Sequence, residues 1–333
     1  MGNKMMVDEV FHAIVRNLDL GRLTSPPVKV SGGYMHKMYK IETQAGAYAV
    51  KLLNPCVMKR PDALPNFQRA EQLEEVLYEH GLPVVPAIGI NGRKMQFLNG
   101  QYYYVFHWVE GRALRWNEIK AEHCGMAGAL LAAIHKIERR EKPCNREMLC
   151  ADWDRYIAQA VTECPKTAKE LKAVKDLLYS GQEAYNLALQ QLPPVTCICD
   201  GDMDSKNVLW QDGRPLIIDL ECLDYGNPFS EMFQLALSWA GGTVCHIDFG
   251  CLEAFLSSYR LKYGECCVSW EKLWGIGFSW LEWLEYNLKR ALMIECADEE
   301  EQKLGICEAH ETIRRVAYYS SVKEELLERL RML

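Results

Sequence analysis

Two aspartates and an asparagine constrain this chain more than any other feature of its sequence. Asp202 and Asn207 have the spacing D-x-x-x-x-N, and the apolar run that follows them ends at Asp219. Enzymes that transfer phosphoryl groups use one Asp to accept the proton of the attacking hydroxyl, and an Asn and a second Asp to hold magnesium ions. The segment therefore predicts a phosphoryl-transfer site with these three residues in that order.

Two other interpretations of the same segment leave residues unexplained. The aspartates Asp200, Asp202 and Asp204 alternate as they do at the start of an EF-hand calcium loop. That loop, however, needs Gly at its sixth position and Glu at its twelfth. This chain has Ser205 and Gln211 there. A phosphatase with an aspartate nucleophile would account for neither Asn207 nor the strand that ends at Asp219. It stays open as a rival that predicts ester hydrolysis without ATP affinity.

The composition is that of an ordinary globular protein with one large or two modest domains. The 333 residues are 49% hydrophobic and 25% charged, and the net charge of −7 argues against a nucleic-acid partner. The fourteen cysteines are scattered without a C-x-x-C pair, so no zinc site is expected. No apolar run reaches the ~18 residues of a membrane span, and no secretory signal opens the sequence. We expect a reduced, cytoplasmic protein without membrane contact, as a monomer or a weak dimer.

A glycine-containing turn and a strand lysine are the second informative feature. Tyr48, Val50 and Leu52 alternate with smaller or polar residues, which predicts a strand with Lys51 in its middle. Before it lies the turn Ser31-Gly32-Gly33, whose two glycines would let backbone amides approach a phosphate without a Cβ in the way. We predict nucleotide-phosphate contacts from this turn and from the lysine.

A helix near 66–80 carries a carboxylate that can pair with Lys51. Glu71 is the candidate for this pair, and its neighbours Glu74 and Glu75 are alternatives. The corresponding helix of kinases places a glutamate against the strand lysine.

The pattern changes from strands to helices part of the way along the chain. We predict an α+β fold with a β-rich nucleotide-binding lobe at 1–108 and a mostly helical lobe at 109–333. Within the second lobe, the helical periodicity predicts continuous helices over 166–190 and 270–295.

These segments together resemble the aminoglycoside phosphotransferase and choline kinase family. Seven segments carry the resemblance: Ser31-Gly32-Gly33, Ala49-Val50-Lys51, Glu71 before Gly81-Leu82-Pro83-Val84, Val109-Glu110-Gly111, Leu130-Leu131-Ala132-Ala133-Ile134-His135, Gly201-Asp202-Met203-Asp204-Ser205-Lys206-Asn207 and Ile217-Ile218-Asp219-Leu220-Glu221. A further match is Gly226-Asn227-Pro228, which is similar to the family's Gly-x-Pro element.

The resemblance implies a protein-kinase-like fold of two lobes, with ATP (or GTP) and Mg²⁺ in the cleft. By that resemblance Asp202 would be the catalytic base, and Asn207 and Asp219 would hold magnesium. Lys51 would contact the α- and β-phosphates and be held by Glu71. The hinge against which adenine lies would include Phe106, His107 and Trp108.

Two positions depart from the family pattern. Asp200 stands where the family usually has His before the Gly-Asp pair, which puts the usual bracing of the catalytic residues in doubt. Glu231 stands where the family has Asp after the Gly-x-Pro element. The first departure keeps a second interpretation open, a kinase-like nucleotide-binding module without activity. The presence of all four polar residues Lys51, Asp202, Asn207 and Asp219 argues against it.

The acceptor is expected to be a small cationic molecule with a hydroxyl group. Carboxylates suit ammonium groups, and aromatic faces suit quaternary ammonium groups. The candidate residues are Asp200, Glu221, Asp224, Glu282, Glu285, Trp280, Trp283 and Tyr286. Trp280 and Trp283 also fit the core face of an amphipathic helix. Aminoglycosides, choline, ethanolamine and amino alcohols such as homoserine all remain possible acceptors.

Overall fold

The structure, a computed structural model, describes residues 2–30, 35–144 and 147–333. The chain forms two compact units, Met1–Ala113 with Val208–Cys222, and Leu114–Asn207 with Leu223–Leu333. The segment after Asn207 therefore returns to the first unit before the chain continues into the second. The boundary predicted between two lobes after residue 108 stays a prediction. It did not anticipate that Val208–Cys222 belongs to the first unit.

An antiparallel sheet of five strands, in the order β1-β2-β3-β5-β4, forms the centre of the first unit. Its strands are β1 (Val28–Val30), β2 (Lys37–Thr43), β3 (Gly46–Leu52), β4 (Gln96–Leu98) and β5 (Gln101–His107). Helix α1 (Gly2–Asn17) packs Phe11 and Ile14 into a buried cluster with Val50 and Val105 of the sheet. Alternation along β3 and β5 supplies these inward residues.

Two helices and a second sheet complete the first unit. Helix α2 (Pro55–Met58) is followed by α3 (Ala63–Glu79), which buries Phe67, Leu73 and Leu77 at helical spacing. The second sheet has the order β10-β9-β6 and consists of β6 (Arg112–Ala113), β9 (Val208–Gln211) and β10 (Arg214–Ile217). Asp219 follows β10 with a φ of 65°, a backbone conformation that Asp tolerates better than most residues.

The second unit is mostly helical, with one small sheet of order β11-β8-β7. The sheet strands are β7 (Arg139–Arg140), β8 (Thr196–Cys199) and β11 (Asp224–Gly226). The helices are α4 (Ala121–Ile137), α5 (Trp153–Glu163), α6 (Pro165–Ala173), α7 (Lys175–Gln191), α8 (Pro228–Trp239), α9 (Phe249–Tyr263), α10 (Trp270–Trp274), α11 (Trp280–Ala291), α12 (Glu299–Ser321) and α13 (Lys323–Arg331). An antiparallel sheet followed by a mostly helical remainder confirms the predicted α+β class.

Two predicted continuous helices are wrong, because each is interrupted. The segment 166–190 divides at Val174 into α6 and α7, and the segment 270–295 contains a 3-10 stretch, Gly275–Ser279, between α10 and α11. The second break has a packing cause. A Cβ at Gly275 would lie 2.3 Å from the Ala184 carbonyl oxygen, and one at Gly277 would lie 2.2 Å from the Tyr319 ring. Close approach of neighbouring helices, rather than periodicity, sets the path of the chain there.

Helices α4 and α9 approach each other closely at Gly128. A Cβ built on this residue would lie 2.2 Å from the Phe255 carbonyl oxygen, so the two backbones meet with no space for a side chain. This contact fixes α4, which carries His135 near its end, against the core of the unit. In the described ranges, no helix is both long and apolar enough to cross a membrane.

Candidate active site

The predicted catalytic residues lie in a short loop, residues 200–207, which we call the catalytic loop. It follows the buried strand β8, turns at Gly201 with a φ of 82°, and ends in the 3-10 segment Ser205–Asn207. Asn207 Nδ2 donates to both the carbonyl oxygen and Oδ2 of Asp202, each at 2.8 Å. Asn207 thereby fixes the Asp202 carboxylate, and its own side-chain oxygen is directed away from this contact.

A lysine that the sequence analysis did not single out also contacts the predicted base. Lys206 Nζ lies 3.2 Å from Asp202 Oδ2, and both side chains are partly exposed. An opposite charge at this distance favours the ionised form of a carboxylate. Lys206 and Asn207 therefore approach the same carboxylate oxygen of Asp202. The D-x-x-x-x-N spacing contains Lys206, but the spacing alone gives no role to the residues between its ends.

A buried chain of hydrogen bonds holds the backbone of the catalytic loop in place. The Gly201 amide donates to Glu231 Oε1 at 2.5 Å, and Glu231 Oε2 lies 2.7 Å from His135 Nε2. His135 Nδ1 in turn lies 2.7 Å from the Tyr259 hydroxyl. Burial alone would lower the pKa of His135, but contacts with Cys199 and Glu231 raise it to about 9. Glu231 therefore supplies the bracing that the departure at Asp200 had put in doubt.

Asp200 lies too deep to contact an acceptor directly. It is 1% exposed, and its Oδ1 accepts the Asp202 amide at 3.3 Å. The prediction that it contacts the substrate is wrong, because strand β8 carries it into the core of the unit. Its carboxylate instead acts on the backbone of the catalytic loop.

A buried group of potential metal ligands beneath the loop is already engaged in hydrogen bonds. Ligand atoms of His135, Cys197 and Cys199 lie within 4.8 Å of one another. Both ring nitrogens of His135, however, contact Glu231 and Tyr259. A metal would have to displace one of these partners, so the group fits a structural role.

Lys51 occupies the centre of a second polar group, in the first unit. Its side chain is 6% exposed, and its Nζ contacts the carboxylates of Asp219 and Glu221. Burial alone would lower the pKa of Lys51, but these two carboxylates raise it. The ammonium is therefore charged at neutral pH. The structure brings the predicted phosphate ligand together with the predicted metal ligand Asp219.

Glu221 has a second buried partner, His36. His36 Nε2 lies 3.1 Å from Glu221 Oε1, and its Nδ1 accepts the Asn54 amide at 2.9 Å. Although burial would raise the pKa of Glu221, Lys51 and His36 hold it well below its usual value. The assignment of Glu221 to the acceptor site stays a prediction, and in the structure its carboxylate is engaged with Lys51 and His36. We call Lys51, Asp219, Glu221 and His36 the lysine cluster.

Glu71 does not take the predicted position beside Lys51. Its Oε1 accepts from the Tyr104 hydroxyl at 2.7 Å and from the Met95 amide at 2.9 Å. The alternative Glu74 is bonded to the Ala87 amide and to Lys94, and Lys94 also contacts the alternative Glu75. These partners from β5 and the segment before β4 hold the carboxylates of α3 away from the lysine. Glu71 nevertheless lines the same cavity of the first unit as Lys51, Asp219 and Phe106.

The predicted adenine-facing residues do not share one surface. Phe106 lines the cavity beside Lys51. His107 is exposed and its ring lies 5.5 Å from that of Tyr48, its cross-strand partner on β3. Trp108 donates its amide to the Ala47 carbonyl and its indole nitrogen to Glu110. The turn residues Ser31, Gly32 and Gly33 lie outside the described residues.

The remaining acceptor candidates lie mainly on α11, each with a neighbour. The Tyr185 hydroxyl donates to Glu282 at 3.1 Å, and the Tyr156 hydroxyl donates to Glu285 at 2.8 Å. Further contacts are those of Trp283 with Glu308, of Tyr286 with Arg290 and with the Trp283 ring, and of Trp280 with Tyr319. Asp224, by contrast, is exposed on β11, and its Oδ1 accepts its neighbour's amide. Thus Glu282 and Glu285 form one acidic helix face whose partners include two phenols.

Several solved structures share the fold of this chain. The spectinomycin phosphotransferase APH(9)-Ia, in complex with ADP and spectinomycin, is 11% identical, with a TM-score of 0.63 over 88% of this chain and 93% of that chain. The amicoumacin kinase hAmiN, in complex with AMP-PNP, Ca²⁺ and Ami, is 12% identical, with a TM-score of 0.60 over 94% and 96%. The ethanolamine kinase of Plasmodium vivax is 16% identical, with a TM-score of 0.58 over 86% and 80%.

A family model extends the likeness from fold to sequence. No curated protein matches the sequence. The model described as the phosphotransferase enzyme family matches residues 28–260, which is well over half of the chain. This range contains β1, Lys51, the catalytic loop, Asp219 and Glu231. The chain therefore belongs to the phosphotransferase enzyme family.

Proposed function

We propose that this chain is a small-molecule kinase that transfers the γ-phosphoryl group of ATP to a hydroxyl group of a small cationic acceptor. The observation that carries the proposal is the double hydrogen bond from Asn207 to Asp202. This bond holds one carboxylate in a fixed orientation in a partly exposed loop. A fixed, ionised carboxylate is the arrangement that a hydroxyl acceptor needs in phosphoryl transfer.

The reaction requires one proton transfer and one exchange of P–O bonds. The acceptor oxygen forms a bond to the γ-phosphorus while the bond from that phosphorus to the β,γ-bridging oxygen breaks, and ADP leaves. Asp202 accepts the proton of the attacking hydroxyl. Lys51 contacts the nucleotide phosphates, and its burial among carboxylates limits the positions that its ammonium can take. Positioning and charge stabilisation account for most of the catalysis in such reactions.

The predicted magnesium ligands fit the ion by their chemistry. Mg²⁺ is bound through oxygen atoms, usually one or two carboxylates together with substrate phosphates. Asp219 of the first unit offers a carboxylate, and Asn207 of the second unit offers a side-chain oxygen that its two bonds to Asp202 do not use. When bound, the ion would neutralise charge on the phosphates. The ADP, AMP-PNP and Ca²⁺ in the two structures named above support a nucleotide and a divalent cation here.

The acidic face of α11 supports a cationic acceptor. Glu282 and Glu285 lie one helical turn apart, and each carboxylate accepts a hydrogen bond from a phenol. Lys289 lies 3.3 Å from Glu285 and offsets part of the charge on that side. Spectinomycin and ethanolamine, the latter named for the Plasmodium vivax enzyme, illustrate acceptors of this class. We propose that Glu282 binds an ammonium group of the acceptor.

A melting-temperature screen followed by a turnover assay tests this function. The protein is mixed with ATP, GTP or AMP, each with and without Mg²⁺, and then with aminoglycosides, choline, ethanolamine and homoserine. A ligand of the native state raises the melting temperature by mass action. We expect an Mg²⁺-dependent rise with ATP, a further rise with one acceptor, and ADP release when both are present.

The same screen separates the rival functions. Stabilisation by nucleotide without ADP release over the whole acceptor panel would favour an inactive nucleotide-binding module. Hydrolysis of a phosphate ester without any response to nucleotide would favour a phosphatase. Neither result is compatible with the proposed kinase.

A further inference from the structure

Lys51 does not contact Glu71, the partner predicted for it. One of the residues that it contacts instead is a candidate for the residue that positions its ammonium group. Glu71 is occupied by Tyr104 and Met95, whereas Lys51 contacts Asp219 and Glu221. A buried ammonium needs a carboxylate that stays in place, because an unpaired charge in the core is costly. A carboxylate that remains with Lys51 when nucleotide binds would keep the ammonium paired and fix its position.

Asp219 is the less suitable of the two for a permanent contact. Its side chain is 34% exposed, and it is the proposed metal ligand of the first unit. A carboxylate that turns to a divalent cation shares less of its charge with the lysine. The side chain of Glu221 is only 12% exposed. The buried carboxylate is therefore the one suited to remain with Lys51.

Glu221 is itself held by a residue from another part of the unit. His36 Nδ1 accepts the Asn54 amide hydrogen, and its Nε2 lies 3.1 Å from Glu221 Oε1 as a close contact without hydrogen-bond geometry. His36 is 6% exposed and Asn54 caps helix α2. A continuous set of contacts thus leads from the start of α2 through His36 and Glu221 to Lys51.

We propose that Glu221, oriented by His36, is the positioning residue for Lys51, in the role that sequence analysis assigned to Glu71. This inference rests on the proposed function, in which Lys51 binds nucleotide phosphates. Glu221 holds the ammonium at a set place in the cavity, and the contact with His36 limits the positions that the Glu221 carboxylate can take.

A double-mutant cycle on ADP affinity tests the inference. Binding of ADP to the full chain is measured by calorimetry, once in EDTA and once with Mg²⁺, for Lys51→Met, Glu221→Gln and the double variant. Glu75→Gln is the matched control, because Glu75 is half exposed on the same helix as Glu71 and contacts Lys94. We expect Glu221→Gln to weaken ADP binding in EDTA about tenfold, since it removes one partner of a buried charge pair.

The coupling between the two positions decides the outcome. With Glu221 as the positioning residue, the Lys51→Met, Glu221→Gln double variant binds ADP no more weakly than Lys51→Met alone. The Glu75→Gln change has no coupling to Lys51→Met. Glu221→Asp, which keeps the charge, recovers part of the affinity lost in Glu221→Gln.

A second variant keeps the test independent of the folding of Glu221→Gln. In His36→Asn, the side-chain oxygen still accepts the Asn54 amide, while the contact to Glu221 is lost. We expect it to weaken ADP binding in EDTA in the same direction as Glu221→Gln, with a melting temperature near that of the wild type.

Two failures can be told apart. The positioning role of Glu221 is overturned if Lys51→Met weakens ADP binding but Glu221→Gln and His36→Asn do not. It is also overturned if Glu221→Gln changes only the Mg²⁺ dependence of ADP binding. In both cases the kinase proposal stands. If the wild type does not bind ADP, or if Lys51→Met binds it as the wild type does, the proposed nucleotide site itself is wrong.

Discussion

At the scale of single residues, Asp202 is the side chain on which the proposed chemistry depends. We predict that Asp202→Asn lowers kcat by about 10²–10⁴-fold, because an amide cannot accept the hydroxyl proton. The Asn oxygen can still accept from Asn207, so the loop should keep its shape. The measurement is the steady-state rate of ADP release together with ADP affinity by calorimetry, which we expect to stay within a factor of two or so of the wild type. Near-normal turnover would remove Asp202 from the role of base.

Residues close in sequence were easier to predict than residues brought together by the fold. Asp202 and Asn207 belong to one loop, so their spacing already implies the contact that the structure contains. The predicted pairing of Lys51 with Glu71 instead depended on the distance between strand β3 and helix α3. The number of residues between them in the sequence does not determine that distance. Tyr104, opposite Lys51 on β5, supplies the hydroxyl that binds Glu71. Neither this contact nor the one between His36 and Glu221 has a signature in a single sequence.

At the scale of elements, the contact between α4 and α9 is sensitive to one methyl group. We predict that Gly128→Ala lowers the free energy of unfolding by about 1–3 kcal/mol, because the added carbon would press on the Phe255 backbone, which cannot turn aside. Gly125→Ala on the same helix is the control, since its Cβ would lie 3.0 Å from the hydroxyl of Ser258, a side chain that can rotate, and 3.7 Å from the Ala254 carbonyl oxygen, an ordinary contact distance. Chemical denaturation of both variants checks this. Equal stability of the two would show that α4 can shift away from α9.

Helix boundaries were less predictable than helix positions. The periodicity of 166–190 contains no Gly or Pro at the point where α6 ends and α7 begins, so nothing local marks the break at Val174. Between 270 and 295 the glycines are visible in the sequence, but an isolated Gly is tolerated inside a helix. Their effect comes from Ala184 and Tyr319, which are distant in sequence. The α+β class and the family, by contrast, depend on patterns spread over most of the chain, and both predictions are confirmed.

At the scale of the whole molecule, His135 links stability to pH. Its pKa is raised to about 9 in the folded protein, against an ordinary value near 6.5. A raised pKa adds stability that is fully present below about pH 6.5 and is lost as the pH rises through about 9. The shift in the pKa of this fully buried ring corresponds to about 3 kcal/mol of stability.

We therefore predict that His135→Gln loses less stability than the wild type between pH 6.5 and 9. Urea denaturation of both proteins across this range measures the difference. Groups that do not contact His135 are the same in both proteins, so their contribution to the pH dependence cancels in the comparison. Parallel curves for the two proteins would mean that the contact of His135 with Glu231 does not favour the charged ring.

The return of residues 208–222 to the first unit has a consequence for synthesis on the ribosome. Lys51 is made early, but Asp219 and Glu221, its buried partners, follow only after about two thirds of the chain. A nascent chain that ends at residue 113 also lacks β9 and β10. The N-terminal unit therefore cannot acquire its final core as it emerges from the exit tunnel. It must wait until the catalytic loop has been translated, so the nucleotide-binding residues and the catalytic loop mature within the same interval of elongation.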